Sequence, residues 1–243
     1  ISLPNPLIGF LNQILYLKSK KIIPIYVIDG ISPQEKKLTI EKRKKKKKKI
    51  EDEIKVIEDN FSKFPHKHLI DVASNKLDKL NKLNVKITNL EINKLTELFK
   101  ILNVQFIRAK GEADSLISYL FKNNYIDTCL SEDMDLLVFK CESIISFSKS
   151  KIIEYKLCKI LKNLNLEYEN FVELCILLGC DYLYPIMKDK PLEIYKKYIL
   201  DPNNFILKSD LDDEYVKKFN LVKNKFIDNM QEYSEIKILN TFN

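Results

Sequence analysis

Several patterns typical of membrane-spanning and secreted proteins are missing from the 243-residue sequence. No apolar segment approaches the roughly 20 residues that a membrane-spanning helix needs. The five cysteines form no C-x-x-C pair, and their odd number and apolar contexts favour reduced, buried thiols over a disulfide framework. No secretory signal is visible, although the sequence begins at Ile1 rather than Met. The number and apolar setting of the cysteines favour an intracellular protein, whereas the missing signal carries no conclusion in a sequence that starts at Ile1.

Arginine is scarce, with Arg43 and Arg108 as the two examples, so lysine carries most of the positive charge. The formal net charge is +7, and much of it falls in one run, from Lys42 to Lys49. A basic run of this kind indicates a polyanionic partner such as nucleic acid, or else a solvated loop.

Apolar residues make up 45% of the sequence, which is enough to build a sizeable core. Strand-like apolar runs alternate with segments of helical spacing, which predicts the α/β class with a central, mostly parallel sheet flanked by helices. Predicted strands are 22–28, 104–107, 126–130 and a pair at 144–147 and 152–155. Predicted helices are 4–20, one after the capping box Thr88–Glu91, one opening at Gly111 and one ending at Gly179.

Two segments differ from this alternation. Residues 34 to about 61 are charged nearly throughout, which predicts a helix that projects from the body or binds something charged. Beyond Tyr182 the chain is predicted to be all-helical. The pair His66 and His68 lacks Cys or Asp partners nearby, so surface imidazoles are preferred over a metal site.

Acidic residues stand at the ends of several predicted strands and helices. In an open α/β sheet, ligands gather beyond the carboxyl ends of the strands, so parallel neighbouring strands would bring these carboxylates to one edge. Carboxylates that lie close together repel one another unless divalent cations neutralise their charge. A site built from carboxylates without histidine favours Mg²⁺ or Mn²⁺ over zinc. The alternative is that each acid caps a turn or a helix N-terminus. The residues are Asp29, Glu112, Asp114, Asp133, Asp135 and Asp181.

The segments around these acids resemble the internal nuclease motif of the flap endonuclease/xeroderma-pigmentosum-G (XPG) family. They are GEAD at 111–114, LSEDMDLLVF at 130–139 and LCILLGCDY at 174–182. VIDG at 27–30, with Pro33 and Lys36, resembles the end of that family's N-terminal motif. The resemblance covers about residues 5–182, and Asp114 stands where many members have Glu.

The resemblance implies a PIN-like α/β nuclease core that cleaves 5′ flaps of branched DNA in replication and repair, as a nuclear monomer. A viral or organellar setting stays open. It implies that the six carboxylates surround two Mg²⁺ ions, with Mn²⁺ as a substitute, for in-line hydrolysis of a phosphodiester. It also implies K⁺ at a duplex-binding turn and a sliding clamp as a partner, through a region not evident in this sequence.

Basic residues also take roles from the resemblance. Lys36 and Arg43 match the family's basic pair, which would hold the scissile phosphate, and their spacing of two helical turns puts them on one face. Residues 34–75 would form a helical arch within a nuclease core at 1–182, and 183–243 a helical DNA-binding region. The expected phosphate contacts are Lys42, Lys44, Lys45, Lys188 and Lys190.

The sequence departs from the family pattern in two places. A further metal-binding Asp on an earlier strand is not present, so the N-terminal part of the core is expected to be incomplete. The segment 185–191 lacks the glycines with which the family grips duplex phosphate. A DNA-binding factor with weak or no catalysis is therefore a second interpretation, and a related 5′ exonuclease acting on RNA is a third.

Overall fold

The computed structural model of the chain describes residues 6–63, 74–77, 79–81, 84, 88–148, 151–186, 190–208 and 211–228. Its contacts divide the chain into two compact units. Unit 1 comprises Ile1–Ile28 and Lys36–Ile107, and unit 2 comprises Asp29–Glu35 and Arg108–Asn243. No helix within the described ranges is both long enough and apolar enough to cross a membrane.

Unit 1 is built around a small aromatic core. The rings of Tyr26 and Phe99 stack with centroids 4.4 Å apart, and the Tyr26 hydroxyl donates to Gln13 Oε1 over 2.8 Å. Ile14 and Val104 complete the buried centre. The elements are α1 (Pro6–Ser19), β1 (Ile25–Ile28), α2 (Lys37–Lys63, preceded by a 3₁₀ turn at Gln34–Lys36), α3 (Asn89–Ile101) and β2 (Gln105–Arg108), and β1 and β2 are hydrogen-bonded neighbours.

Unit 2 contains a three-stranded sheet with helices before, between and after its strands. Its elements are α4 (Ala113–Lys122), β3 (Cys129–Leu130), α5 (Asp135–Val138), β4 (Ser143–Ser148), β5 (Lys151–Lys156), α6 (Leu157–Leu164), α7 (Tyr168–Leu178), α8 (Pro191–Tyr198), a 3₁₀ turn (Pro202–Asn204), α9 (Phe205–Lys208) and α10 (Asp213–Ile227). Strand β3 runs parallel to β4, with Cys129 opposite Ile144, and β4 runs antiparallel to β5.

The C-terminal helices share the core of unit 2. Phe219, Val222 and Phe226 of α10 belong to the same buried cluster as Leu136 and Phe139. The rings of Phe139 and Phe226 meet edge to face with centroids 4.8 Å apart. The contacts therefore divide the chain elsewhere than at residue 182, and a DNA-binding role for 183–243 stays a prediction.

The predicted α/β class is confirmed, and the strand pair at 143–156 and the capping box at Thr88 are present. Strand β3 pairs in parallel with β4, and the described strands fall into two sheets. Strand β3 has two residues where 126–130 was predicted. Buried thiols are confirmed for Cys129 and Cys141, but wrong for Cys158, which lies on the exposed face of α6.

Candidate active site

Asp29 is held against the N-terminus of α4. The Ala113 N–H donates to Asp29 Oδ1 over 2.8 Å, and the Gly30 N–H donates to the Gly111 carbonyl over 2.8 Å. A Cβ on Gly30 would lie 2.1 Å from the Ala109 carbonyl oxygen, so this close approach of two backbones requires glycine. Asp29 therefore satisfies one of the N–H groups that a helix start leaves without an intrahelical partner.

Glu112, the residue before α4, is buried with 8% exposure. The Tyr182 hydroxyl donates to Glu112 Oε2, and Lys225 Nζ lies 3.6 Å from the same oxygen. Lys225 Nζ also lies 4.6 Å from the centroid of the Tyr182 ring, whose edge meets Phe226. Glu112 is thus surrounded by a hydroxyl donor and a cation, which a buried carboxylate needs.

Asp133 lies in the turn between β3 and α5, and Asp135 is the first residue of α5. The Asp133 N–H donates to Ser131 Oγ over 3.0 Å, and the Asp135 N–H donates to Asp133 Oδ1 over 3.0 Å. This is a local turn hydrogen bond, since the residue at the N-cap of α5 is Met134 and no side-chain capping hydrogen bond is made there. It occupies one oxygen of the Asp133 carboxylate and does not by itself exclude a metal.

The electrostatics connect these segments with the end of α7. Burial, the hydrogen bond to Glu112 and the negative charges of Glu112 and Asp114 raise the pKa of Tyr182. Burial, with the charge of Asp135 adding to it, raises the pKa of Cys175 to about 12. The pKa of Cys180 is raised by burial, and the charges of Asp135 and Asp181 act in the same direction.

All six predicted carboxylates lie in unit 2. Asp29 accepts from the Ala113 N–H beside Glu112, and Glu112 accepts from the Tyr182 hydroxyl beside Asp181. Across the part of the chain that the structure describes, however, no three or more His, Cys, Asp or Glu side chains form a group that could hold a metal ion. The donor set fits a hard divalent cation because every member is a carboxylate. The individual roles as metal ligands stay predictions.

The sequence did not assign Tyr182 or Lys225 to this site. Tyr182 stands directly after Asp181, so its position in the motif could have predicted that it belongs to the site. Lys225 lies on α10, among several lysines of a helix predicted only as polar. Nothing in its local sequence separates it from Lys217, Lys218 or Lys223.

The predicted basic residues are distributed over both units. Lys36 ends the 3₁₀ turn before α2, and Arg43 lies in the second turn of α2; both belong to unit 1. The run from Lys42 to Lys49 is helical, and its side chains are exposed apart from a half-buried Lys47. Lys190, at the start of α8 in unit 2, pairs with Glu193 over 3.3 Å. Lys188, His66 and His68 lie outside the described residues.

Two family models match this chain. The XPG N-terminal domain matches residues 4–50, and the XPG I-region matches residues 103–181, which together cover more than half of the sequence. The chain belongs to the flap endonuclease/XPG family. The GEAD and LSEDMDLLVF segments lie within the match to the I-region, as does LCILLGCDY apart from its last residue, Tyr182.

Curated XPG-family proteins extend beyond this chain. Flap endonuclease 1 from Enterocytozoon bieneusi is 34% identical over 188 residues, which is 73% of this chain and 49% of that protein. A second relative, flap endonuclease 1 from Encephalitozoon cuniculi, is matched over 55% of its own length. The chain thus spans about half the length of the curated relatives it matches.

Solved XPG-family structures share the fold. The catalytic core of Rad2 in complex with DNA substrate aligns with a TM-score of 0.65 and 21% identity, covering 95% of this chain and 71% of that one. The Holliday junction-resolving enzyme GEN1, in complex with product DNA and Mg²⁺, aligns with a TM-score of 0.53 and 14% identity, covering 91% and 50%. At these identities the alignments bear on the fold alone.

Proposed function

We propose that the chain is the nuclease part of a structure-specific 5′ nuclease that hydrolyses phosphodiesters of branched DNA in replication or repair. The observation that carries the proposal is that four segments of unit 2 carry the predicted acids, with Asp29 accepting from the N–H next to Glu112 and Tyr182, next to Asp181, donating to Glu112. Membership of the flap endonuclease/XPG family supports the reaction class.

Divalent cations are the proposed cofactors, Mg²⁺ first and Mn²⁺ as a substitute. A pair of such ions would supply an activated water and stabilise charge on the reacting phosphate. The all-carboxylate donor set and membership of the flap endonuclease/XPG family support this assignment. The residues that would hold the ions are Asp29, Glu112, Asp114, Asp133, Asp135 and Asp181.

The protein's own cations are proposed to hold the nucleic acid. Lys36 and Arg43 would contact the phosphate at the cleavage position, and the exposed basic run of α2 would follow the backbone of a single strand. Adjacent turns of this run place like charges four residues apart, which destabilises a helix that has no polyanion to neutralise it. Phosphate contacts from Lys42, Lys44 and Lys45 would relieve this repulsion.

The remaining expectations concern the context of this nuclease. Residues 183–243 are proposed to bind duplex DNA, with Lys188 and Lys190 as side-chain contacts and K⁺ at the connecting turn. A monomer, a nuclear location and a sliding-clamp partner are proposed on family resemblance.

Asp133→Asn tests the proposal, with Glu132→Gln as a matched control on the same turn. Asparagine keeps an oxygen that accepts from the Asp135 N–H, so the turn is expected to persist while the charge is lost. Cleavage of a labelled 5′-flap duplex in Mg²⁺ is expected to fall at least about 100-fold in Asp133→Asn. Glu132 is exposed, and Glu132→Gln is expected to cut like the wild type.

Binding of the flap, measured by fluorescence anisotropy, is expected to survive Asp133→Asn. Chelation of the metal is expected to stop cutting by the wild type. If Asp133→Asn cuts like the wild type, the assigned role is refuted.

If the wild type binds flaps without metal-dependent cutting, the chain is instead the non-catalytic DNA-binding factor. Preferential cutting of a ribose flap would point to RNA as the substrate.

A further inference from the structure

We infer that Lys225 is a positioning residue that competes with divalent cations for Glu112 and so sets the cation affinity of the site. The inference rests on the proposed function, because it takes Glu112 to be a metal ligand. It assigns a role to the C-terminal helix α10, which the family motifs do not reach.

The geometry places the Lys225 ammonium among groups that hold a positive charge. Nζ lies 3.6 Å from Glu112 Oε2 and 4.0 Å from Glu35 Oε2. On its remaining side it faces the Tyr182 ring at 4.6 Å, a distance typical of a cation–π contact. Tyr182 also donates its hydroxyl to Glu112, so Lys225 and Tyr182 hold the same carboxylate from two directions.

The packing of α10 keeps Lys225 at this position. The neighbouring Phe226 is 1% exposed and contacts Tyr182 and Phe139, so the backbone that carries Lys225 is anchored in the core. The lysine side chain itself is 26% exposed. Lys218 on the same helix differs, since it pairs with Glu214 on the surface with more than half of its side chain exposed.

A divalent ion bound to Glu112 would share its carboxylate with this ammonium. Carboxylate oxygens hold Mg²⁺ at about 2.0–2.1 Å, so a cation at Oε2 would lie only a few ångströms from Lys225 Nζ. Two positive charges at that range repel, most strongly where solvent is excluded. Cation binding and the Lys225–Glu112 contact are therefore coupled, and the coupling acts in both directions.

The test uses the metal alone and requires no cleavage. Mn²⁺ binding to the full chain is measured by isothermal titration calorimetry for wild type, Lys225→Met and Lys225→Gln. Lys218→Met is the control, because it removes the same charge from the same helix. Both Lys225 variants are expected to bind Mn²⁺ about 5- to 10-fold more tightly, and Lys218→Met is expected to stay within about twofold of wild type.

Thermal melting separates this coupling from a change of fold. Without metal, Lys225→Met is expected to melt below the wild type, and saturating Mn²⁺ is expected to narrow the difference. Two variants keep the test decisive if one of them does not fold. The inference is overturned if the wild type binds Mn²⁺ and the folded Lys225 variants bind it no more tightly than the wild type does. That result leaves the proposed function intact. If the wild type binds no Mn²⁺, the proposed metal site fails and this inference fails with it.

Discussion

Gly30 joins two segments of the candidate site because it has no side chain. Its N–H donates to the Gly111 carbonyl, and an added Cβ would lie 2.1 Å from the Ala109 oxygen. Gly30→Ala is expected to separate the segments, to lower the free energy of unfolding by about 1–3 kcal/mol and to weaken the Asp29–Ala113 hydrogen bond. Urea unfolding and flap cleavage, measured where the variant is still folded, test both effects.

Gly9→Ala is the matched control for that substitution. Gly9 lies within α1, and no atom comes within 4 Å of a Cβ built there. Alanine is expected to stabilise this helix by up to about 1 kcal/mol and to leave cleavage unchanged. Wild-type stability and cleavage in Gly30→Ala would show that the two backbones are not held as closely as the structure indicates.

Single residues of the site differ in how far the sequence predicts them. Asp29 and Asp133 follow strands, so a local pattern locates them, and Asp133 accepts a hydrogen bond from the Asp135 N–H within its own turn. Lys225 reaches Glu112 only because α10 packs on the core, which is a non-local contact. A pattern read over a few residues cannot contain that information.

At the scale of elements, one ion pair ties three helices of unit 2 together. Glu173 of α7 accepts from Tyr198 of α8 over 2.7 Å and pairs with Lys223 of α10 over 2.7 Å. Both charged side chains are largely buried, so removing one leaves the charge of the other without its ion-pair partner. Lys223→Met is expected to lower the free energy of unfolding by about 1–3 kcal/mol, as measured by urea unfolding with far-ultraviolet circular dichroism.

Lys218→Met again supplies the comparison, since its partner Glu214 is exposed on the same helix. Exposed pairs contribute little, so Lys218→Met is expected to lower the free energy of unfolding much less than Lys223→Met does. If both variants lose the same amount, the Glu173 network adds nothing beyond an ordinary surface pair.

Elements with local end signals were predictable. The capping box at Thr88 precedes α3, and α7 ends at Gly179, whose φ of +104° favours glycine. Helix α6 was not predicted, because it starts straight after β5 at Lys156, which makes no side-chain capping hydrogen bond. The one-turn helix α5 is too short to show a helical period.

At the scale of the whole molecule, the sequence predicts the α/β class but not which segments share a core. The composition becomes more polar beyond Tyr182, which suggested a separate helical region. The apolar face of α10 is narrow, and its target, Phe139 with Leu136, lies far earlier in the chain. Only the folded structure joins them in one buried cluster within unit 2, and the predicted boundary at residue 182 stays a prediction.

Phe226→Ala tests whether unit 2 unfolds as one cooperative body. Phe226 is 1% exposed and contacts both Phe139 and Tyr182, so truncation is expected to cost about 3–5 kcal/mol. Leu221→Ala on the same helix removes a side chain that is 69% exposed and is expected to change stability by no more than about 0.5 kcal/mol. In native-state hydrogen exchange, the loss in Phe226→Ala is expected to reach α4 and α7 as well as α10, because a cooperative unit opens together. Full protection of α4 and α7 beside an exchanging α10 would instead mean that the C-terminal helices form a separate domain.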